Sequence, residues 1–185
     1  MKRMLFWPRK ENGKDSPVAV MNGILTVDEI DLTDALPLRS KVLRNGMPPE
    51  QCTFLQDGTI EALHFGLREN GEIVAIASFY NRPLELEKIP PDSEPKKSLP
   101  ARAGFQLRGM AVTIERQGNG LGKILLEEAL KKVVCQWSPR PEYVWCYAVD
   151  TATGFYERRG FVSLSDGFEM PYIGLLHTMF RMIAS

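Results

Sequence analysis

The chain has 185 residues, 44% of them hydrophobic and 25% charged, and its 23 basic and 23 acidic side chains leave no net charge. This length suits a single domain with a substantial core. The balanced charge argues against a nucleic-acid partner, because such proteins need basic surface for phosphate contacts. No apolar run approaches the roughly 18 residues that span a bilayer, and the N-terminal apolar run is shorter than the about 7 residues of a secretory signal. We therefore expect no membrane partner.

The three cysteines, Cys52, Cys135 and Cys146, are widely separated and show no CxxC spacing. With only two histidines in the chain, no zinc-site spacing can be assembled. An odd number of isolated cysteines favours reduced thiols, so we expect a cytoplasmic protein without a metal site. We expect the protein to be a monomer or a homodimer.

The first part of the chain combines an irregular segment with a simple order of elements. Residues 1–20 are rich in charge and show no periodicity, which predicts an N-terminal extension to one domain at 21–185. Helix caps, turn residues and apolar patterns predict the elements that follow. They are a strand at 23–27, a helix that starts near Asp31 or Thr33 and ends at Asn45 and Gly46, and a hairpin of strands at 63–68 and 73–80.

Residues 81–103 contain five prolines and show neither helical nor strand periodicity. A loop of this length inside a compact domain is usually functional or disordered, so it is either a lid on the substrate side or a mobile insertion. Regular patterns resume after it. They predict strands at 105–113 and 143–149, a helix at 123–137 between them, a short helix at 152–159, and final strands at 161–163 and 174–183.

A glycine-rich stretch, Gln117 to Lys123, connects the predicted strand at 105–113 to the predicted helix. Backbone amides without partners in a first helical turn, together with the helix dipole, attract an anion to such a place. A Walker A loop would need Gly at Gln117 and Ser or Thr at Ile124. A dinucleotide fingerprint would need its third Gly at Lys123 or Leu125. Both nucleotide templates therefore fail, and an ordinary glycine-rich turn stays an alternative.

Two further stretches give this loop its context. Met110-Ala111-Val112 precedes it, and the run Ala-Thr-Gly-Phe-Tyr-Glu-Arg-Arg-Gly-Phe follows at 152–161. Together with Gln117-x-x-Gly120-x-Gly122, these pieces resemble the motifs of the GNAT superfamily of N-acetyltransferases, which bind acetyl-coenzyme A. The motifs cover residues 105–161, and the order of elements is similar over roughly 20–183.

The resemblance implies an α/β (α+β) single domain with a mixed, mostly antiparallel sheet that is flanked by helices. The sheet would be splayed at its centre, between the strands at 105–113 and 143–149, with the pantetheine arm of the coenzyme in the gap. Acetyl-coenzyme A would be the acetyl donor, and no metal would be needed. The implied coenzyme contacts are Met110, Ala111, Val112, Gln117, Gly118, Asn119, Gly120, Leu121, Gly122 and Lys123.

Tyr156 matches the tyrosine that many family members place near the thioester sulfur, which implies that it is the catalytic acid. The alternative is that Tyr156 only packs beside Phe155. The family's carboxylate on the strand before this motif is absent from 143–146, and Val149 stands where members often have Asn. The general base stays open among Glu61, His64, Glu115, Asp150, His177 and a water molecule.

The function that these patterns favour is transfer of an acetyl group from acetyl-coenzyme A to a primary amine, by direct attack in a ternary complex. A small-molecule amine is preferred over a protein amine. The alternative is a module that binds or senses acyl-coenzyme A without catalysis, since no base is evident. The two hypotheses differ in whether bound acetyl-coenzyme A is consumed with an amine.

Overall fold

A computed structural model describes residues 24–85, 104–164 and 166–183. The predicted extension at 1–20 and most of the loop predicted at 81–103 lie outside these ranges. In chain order the elements are β1 (Leu25–Glu29), α1 (Leu32–Leu38), β2 (Ala62–Glu69), β3 (Glu72–Tyr80), β4 (Gly104–Val112), α2 (Leu121–Gln136), β5 (Tyr143–Val149), α3 (Thr153–Glu157), β6 (Val162–Ser163), β7 (Phe168–Met170) and β8 (Gly174–Met182).

The strands form one mixed sheet in the order β1-β2-β3-β4-β5-β8-β6, with β7 paired to β8. The pairing of β4 with β5 is parallel, whereas the other described pairs are antiparallel. This confirms the predicted mixed, mostly antiparallel sheet flanked by helices. The three-residue strand β7 was not predicted.

The sheet opens at its centre. Within the described strands, β4 and β5 pair at only three positions, ending with Gln106 opposite Trp145. Close pairing at the start of β4 depends on glycine, since a Cβ on Gly104 would lie 2.2 Å from Cζ of Tyr143. After Gln106 and Trp145 the strands separate, and the residues of β4 up to Val112 face a gap.

A bulge in β4 accompanies this opening. The register of β4 against β3 shifts between Ile76, opposite Ala111, and Ser78, opposite Arg108. Gly109 lies in the bulge with φ +62, a left-handed conformation that glycine adopts at little cost. The extra residue turns Met110 toward the helix α2, whereas Arg108 stays on the opposite face of the sheet.

The helix α2 covers one face of the sheet and α1 covers the other. The buried side chains of α2 recur every three or four residues, as at Leu121, Leu125, Ala129 and Val133, while the polar residues between them face solvent. On the other face, Ala35 and Leu38 of α1 pack against Ile76 and Ala111. We call these two sides the α2 face and the α1 face.

The helix predicted from Asp31 to Asn45 changes character midway. Its α-helical part ends at Leu38, and Arg39–Leu43 form a π-helical turn before Asn45 and Gly46 end the element with positive φ. The wider turn changes which side chains face the sheet. As a result the charged side chain of Arg39 is buried, with only 1% of its surface exposed.

A buried polar network holds this arginine under the sheet. Arg39 donates to both carboxylate oxygens of Asp57 at 2.6 and 3.0 Å, and to the hydroxyl oxygens of Ser78 at 2.8 Å and Tyr80 at 3.3 Å. Asp57 also accepts from the Tyr80 hydroxyl at 2.5 Å and from the Phe54 amide at 2.6 Å. The network therefore joins α1, the loop before β2, and β3.

We predict that Asp57→Asn lowers the free energy of unfolding by about 3 kcal/mol or more, because removing one partner of a buried ion pair leaves the other charge uncompensated. Denaturant unfolding measures this. The control is Asp34→Asn, which removes the partly exposed partner of Arg68, 3.8 Å away. Its effect should stay below about 1 kcal/mol. Equal losses in the two variants would contradict a supporting role for the buried pair.

Candidate active site

The glycine loop joins the end of β4 to the start of α2. A 3-10 turn at Ile114–Arg116 leads into it, and Gly120 is the residue that precedes the first turn of α2. Gly118 and Gly120 both have φ +77, and a Cβ at either position would meet nothing within 4 Å. Their lack of side chains thus leaves open space at the N-terminus of a 16-residue helix, where an anion is favoured.

Two polar side chains of the loop stabilise its shape rather than reach outward. Gln117 donates from Nε2 to the carbonyl of Val112 at 3.1 Å, and Asn119 donates from Nδ2 to the carbonyls of Arg116 and Gln117, both at 3.2 Å. These bonds occupy carbonyl groups inside the loop. At the start of the helix the amides of Lys123 and Ile124 donate to the carbonyl of Gly120 at 3.0 and 3.2 Å, and the amides that precede them in the first turn are those that a ligand can bind.

Gly122 is the point where the three motifs meet. A Cβ on this residue would lie 3.3 Å from Cε2 of Phe155 and 3.4 Å from Cε of Met110. A side chain here would fit only if the side chains of Phe155 and Met110 moved by a few tenths of an ångström. The structure brings the end of β4, the start of the glycine helix and the tyrosine motif into direct contact.

Tyr156 lies on α3 at the edge of the core of the α2 face, with 8% of its surface exposed. Its hydroxyl donates to Sδ of Met110 at 3.8 Å, and its ring packs edge to face against Phe155 and Phe161. Burial, with a smaller contribution from Cys146, raises the pKa of Tyr156 well above its ordinary value. The phenol is therefore protonated at neutral pH and is a hydrogen-bond donor.

Cys146 faces the same core. Burial raises the pKa of its thiol, so the reactive thiolate is disfavoured. A sulfur nucleophile on β5 is thus chemically unsuited to this position.

The five side chains considered as general base have different surroundings. Glu61 is exposed before β2, and Glu115 is bound to Lys41 at 3.0 Å on the surface. Asp150 and His177 come together, because Asp150 follows β5 and His177 lies on the neighbouring strand β8. Their Oδ1 and Nε2 atoms are 2.9 Å apart.

His64, the fifth, belongs to the buried network. Its Nδ1 is 2.9 Å from the hydroxyl of Ser78 and its Nε2 is 3.4 Å from the carbonyl of Asp57. Burial lowers the pKa of His64, which outweighs the opposite influence of Asp57. With both ring nitrogens engaged, the imidazole is neutral and serves the network.

The α1 face of the gap carries residues that the sequence did not single out. The ring of Phe54 packs against the bulge, since a Cβ on Gly109 would lie 2.9 Å from it, and the guanidinium of Arg108 lies 4.0 Å from the ring centroid. Across the gap, Tyr147 is 41% exposed, and its ring centroid lies 5.2 Å from that of Phe168. An arginine inside a mostly apolar strand was the available signal in the sequence.

The described residues contain no group of three or more His, Cys, Asp or Glu side chains that could hold a metal ion. No helix in the described ranges is long and apolar enough to cross a bilayer.

Residues 61–163 match a family model described as an acetyltransferase (GNAT) domain. The uncharacterized N-acetyltransferase YitI of Bacillus subtilis strain 168 is 28% identical over 160 residues, which cover 86% of this chain and 97% of that protein. A crystal structure titled as a putative N-acetyltransferase from Lactobacillus plantarum has a TM-score of 0.64 at 14% identity, covering 86% and 99% of the two chains. The Escherichia coli ribosomal-protein-S18-alanine N-acetyltransferase has a TM-score of 0.61 at 18% identity, covering 88% and 96%.

The lowered pKa of His64 predicts a loss of stability on acidification. The unfolded chain binds a proton near the ordinary value of 6.5, whereas the folded chain resists protonation until a lower pH. The contribution of His64 is therefore complete above about pH 6.5 and is lost as the pH falls through the folded pKa. Asp57, whose pKa lies below 3.8 because its hydrogen bonds outweigh burial, titrates outside this window.

We expect His64→Gln to reduce the fall in melting temperature between about pH 7.5 and about pH 5.5. The matched control is His177→Gln, which removes the other histidine. If the control variant, and not His64→Gln, flattened the pH dependence, the assignment to the buried network would be wrong.

Proposed function

The chain belongs to the GNAT acetyltransferase family, and on this basis we propose that it transfers an acetyl group from acetyl-coenzyme A to the primary amine of a small molecule. The observation that carries this proposal is the gap between β4 and β5, with the glycine loop, Met110 and Tyr156 on its α2 face. The reaction is a direct attack in a ternary complex within one domain at 21–185. A cytoplasmic location with reduced cysteines is part of the proposal.

The gap suits an extended coenzyme arm. In the described strands, β4 pairs with β3 through Ala111 and Val112 but has no β5 partner there. Amide groups of a pantetheine arm can add ladder hydrogen bonds to such a strand edge. The pyrophosphate would then reach the amides of Gln117 to Lys123.

Acetyl transfer requires three things of the site: a neutral amine, stabilisation of an oxyanion, and a proton for the leaving thiolate. A neutral amine attacks the thioester carbonyl, the oxyanion that develops accepts a hydrogen bond, and the carbon–sulfur bond breaks as the thiolate takes a proton. We assign the oxyanion donor to the backbone amide of Met110, beside the bulge, and the proton donor to Tyr156. The amine proton leaves through Asp150 and His177 or through water.

The first test is binding and turnover of the donor. Acetyl-coenzyme A at about 100 times its Kd should stabilise the fold by about 2.7 kcal/mol, seen as a raised melting temperature. A panel of primary amines should release free thiol from it. Stabilisation without thiol release would favour the alternative of a sensing module. If acetyl-coenzyme A neither stabilised the fold nor released thiol, the enzyme hypothesis would be wrong.

The second test concerns the proton donor. Tyr156→Phe should lower kcat by about 100-fold or more, the usual contribution of a general acid, while the Kd for acetyl-coenzyme A changes by less than about twofold. The buried ring is kept, so the fold should be retained. Tyr172→Phe is the matched control, because Tyr172 is fully exposed between β7 and β8. Unchanged turnover in Tyr156→Phe would remove the acid assignment.

A further inference from the structure

A cluster of guanidinium groups lies on the α1 face of the gap. The guanidinium carbons of Arg39, Arg44 and Arg108 lie 4.3, 5.9 and 4.0 Å from the centroid of the Phe54 ring. The same ring presses on the bulge at Gly109. The cluster therefore lies directly beside the part of β4 that lines the gap.

The positive charges of this cluster are not balanced by the described residues around it. Arg39 is paired with Asp57, and Arg82, on the segment that follows β3, is paired with Glu85 at 2.8 Å. In the described part of the chain, Arg108 and Arg44 have no carboxylate within ion-pair distance. Within the described residues the gap thus carries a local positive excess, although the whole chain has no net charge.

Of these two arginines, Arg108 lies closer to the Phe54 ring. It is half-buried on the central strand, and burial is the main influence that lowers its pKa. The cation Arg44 adds to this effect, while Tyr80 and Asp57 oppose it. A guanidinium stays charged at neutral pH even so. A half-buried cation without an anion is costly, and a bound anion would offset that cost.

The bulge separates this cluster from the coenzyme side of the gap. Arg108 lies on the α1 face, whereas Met110, two residues later, contacts Tyr156 on the α2 face. Continuing the parallel register from Gln106 and Trp145 places Arg108 opposite Tyr147 across the gap. Since the proposed function places the coenzyme on the α2 face, the acceptor would approach the gap from the α1 face, past Arg108.

We propose that the acceptor is a primary amine that also carries a carboxylate, and that Arg108, with Arg44 beside it, binds this carboxylate on the α1 face. The inference rests on the proposed acetyl transfer. A planar guanidinium forms two parallel hydrogen bonds with a carboxylate, and its contact with the Phe54 ring fixes the plane of the fork. The acceptor class is therefore amino acids and other amines with an acidic group.

The experiment compares L-amino acids with their own carboxamides as acceptors. The two members of each pair differ in whether they carry the anionic group. The carboxamide has the less basic amine, so a larger fraction of it is neutral and able to attack, which on its own favours the carboxamide. We expect kcat/KM to be about tenfold or more higher for the acids, the usual gain of a charge-assisted hydrogen bond. Aminoalkyl phosphates form a third arm, and a preference for them or for the carboxamides would overturn the proposal.

Variants assign the preference to the residue. Arg108→Met should bring the ratio of acid to carboxamide close to one, and Arg108→Lys should give an intermediate ratio because it keeps the charge without the fork. Arg68→Met is the matched control, since Arg68 lies at the distant β2–β3 turn, and it should keep the wild-type ratio. A preference that survives in Arg108→Met would also overturn the proposal. Arg108→Lys serves alone if the methionine variant does not fold.

An equilibrium measurement separates this inference from the proposed function. N-acetyl amino acids should bind to the wild-type protein in the presence of coenzyme A, and at least about tenfold more weakly to Arg108→Met, by calorimetry. If N-acetyl amino acids bind in this way while no amine is acetylated, the carboxylate site is supported and the proposed acetyl transfer is wrong. If amines are acetylated without a preference for acids, the acetyl transfer stands and the carboxylate site fails.

Discussion

The guanidinium of Arg39 is a charge held almost entirely out of water, and it connects the first helix with the strand that carries the gap. Its two terminal nitrogens bind Asp57, Ser78 and Tyr80, while its Nε lies 3.1 Å from the place where a Cβ on Gly109 would be. The bulge can therefore form only because residue 109 has no side chain. Helix α1, the loop at 52–57 and β3 must all be in place for Asp57 to compensate this charge.

The bulge in turn divides β4 into two parts with different tasks. Before it, Gly104 to Gln106 pair with β5 and belong to an ordinary sheet. After it, Met110 contacts α2 and α3, and Ala111 packs under α1. In a regular strand Arg108 and Met110 would share a face, but the inserted residue puts them on opposite faces, so one strand lines both faces of the gap. A regular strand would present a different set of residues to each face.

Much of this architecture was predictable because it is encoded locally. The hairpin of β2 and β3 follows from apolar strands around Asn70 and Gly71, and the glycine loop and α2 follow from spacing and apolar periodicity. The predicted start of α2 at Lys123 was two residues late, because Gly120 rather than a side chain caps the helix. The proposed site residues of the motif could be named in advance since the motif is contiguous in sequence.

The rest of the site depends on contacts between distant segments, which no local pattern encodes. Phe54 comes from an aperiodic stretch, and its meeting with Arg108 depends on the π-helical turn that follows Leu38. The burial of Arg39 was equally hidden, because a basic residue near the end of a predicted helix is ordinarily exposed to solvent. Asp150 and His177 meet through strand pairing between β5 and β8.

The buried network and the gap each contain an arginine, but only the arginine of the network is paired with a carboxylate among the described residues. The charge of Arg39 is compensated within the fold by the carboxylate of Asp57 and by hydroxyl groups. Arg108 shares the same aromatic ring but borders the gap, and within the described residues it has a ring contact and no carboxylate. The ring of Phe54 thus lies between a structural cation and a cation available to a ligand. The acidic partner that would complete the second pair is the one that an acceptor molecule can bring.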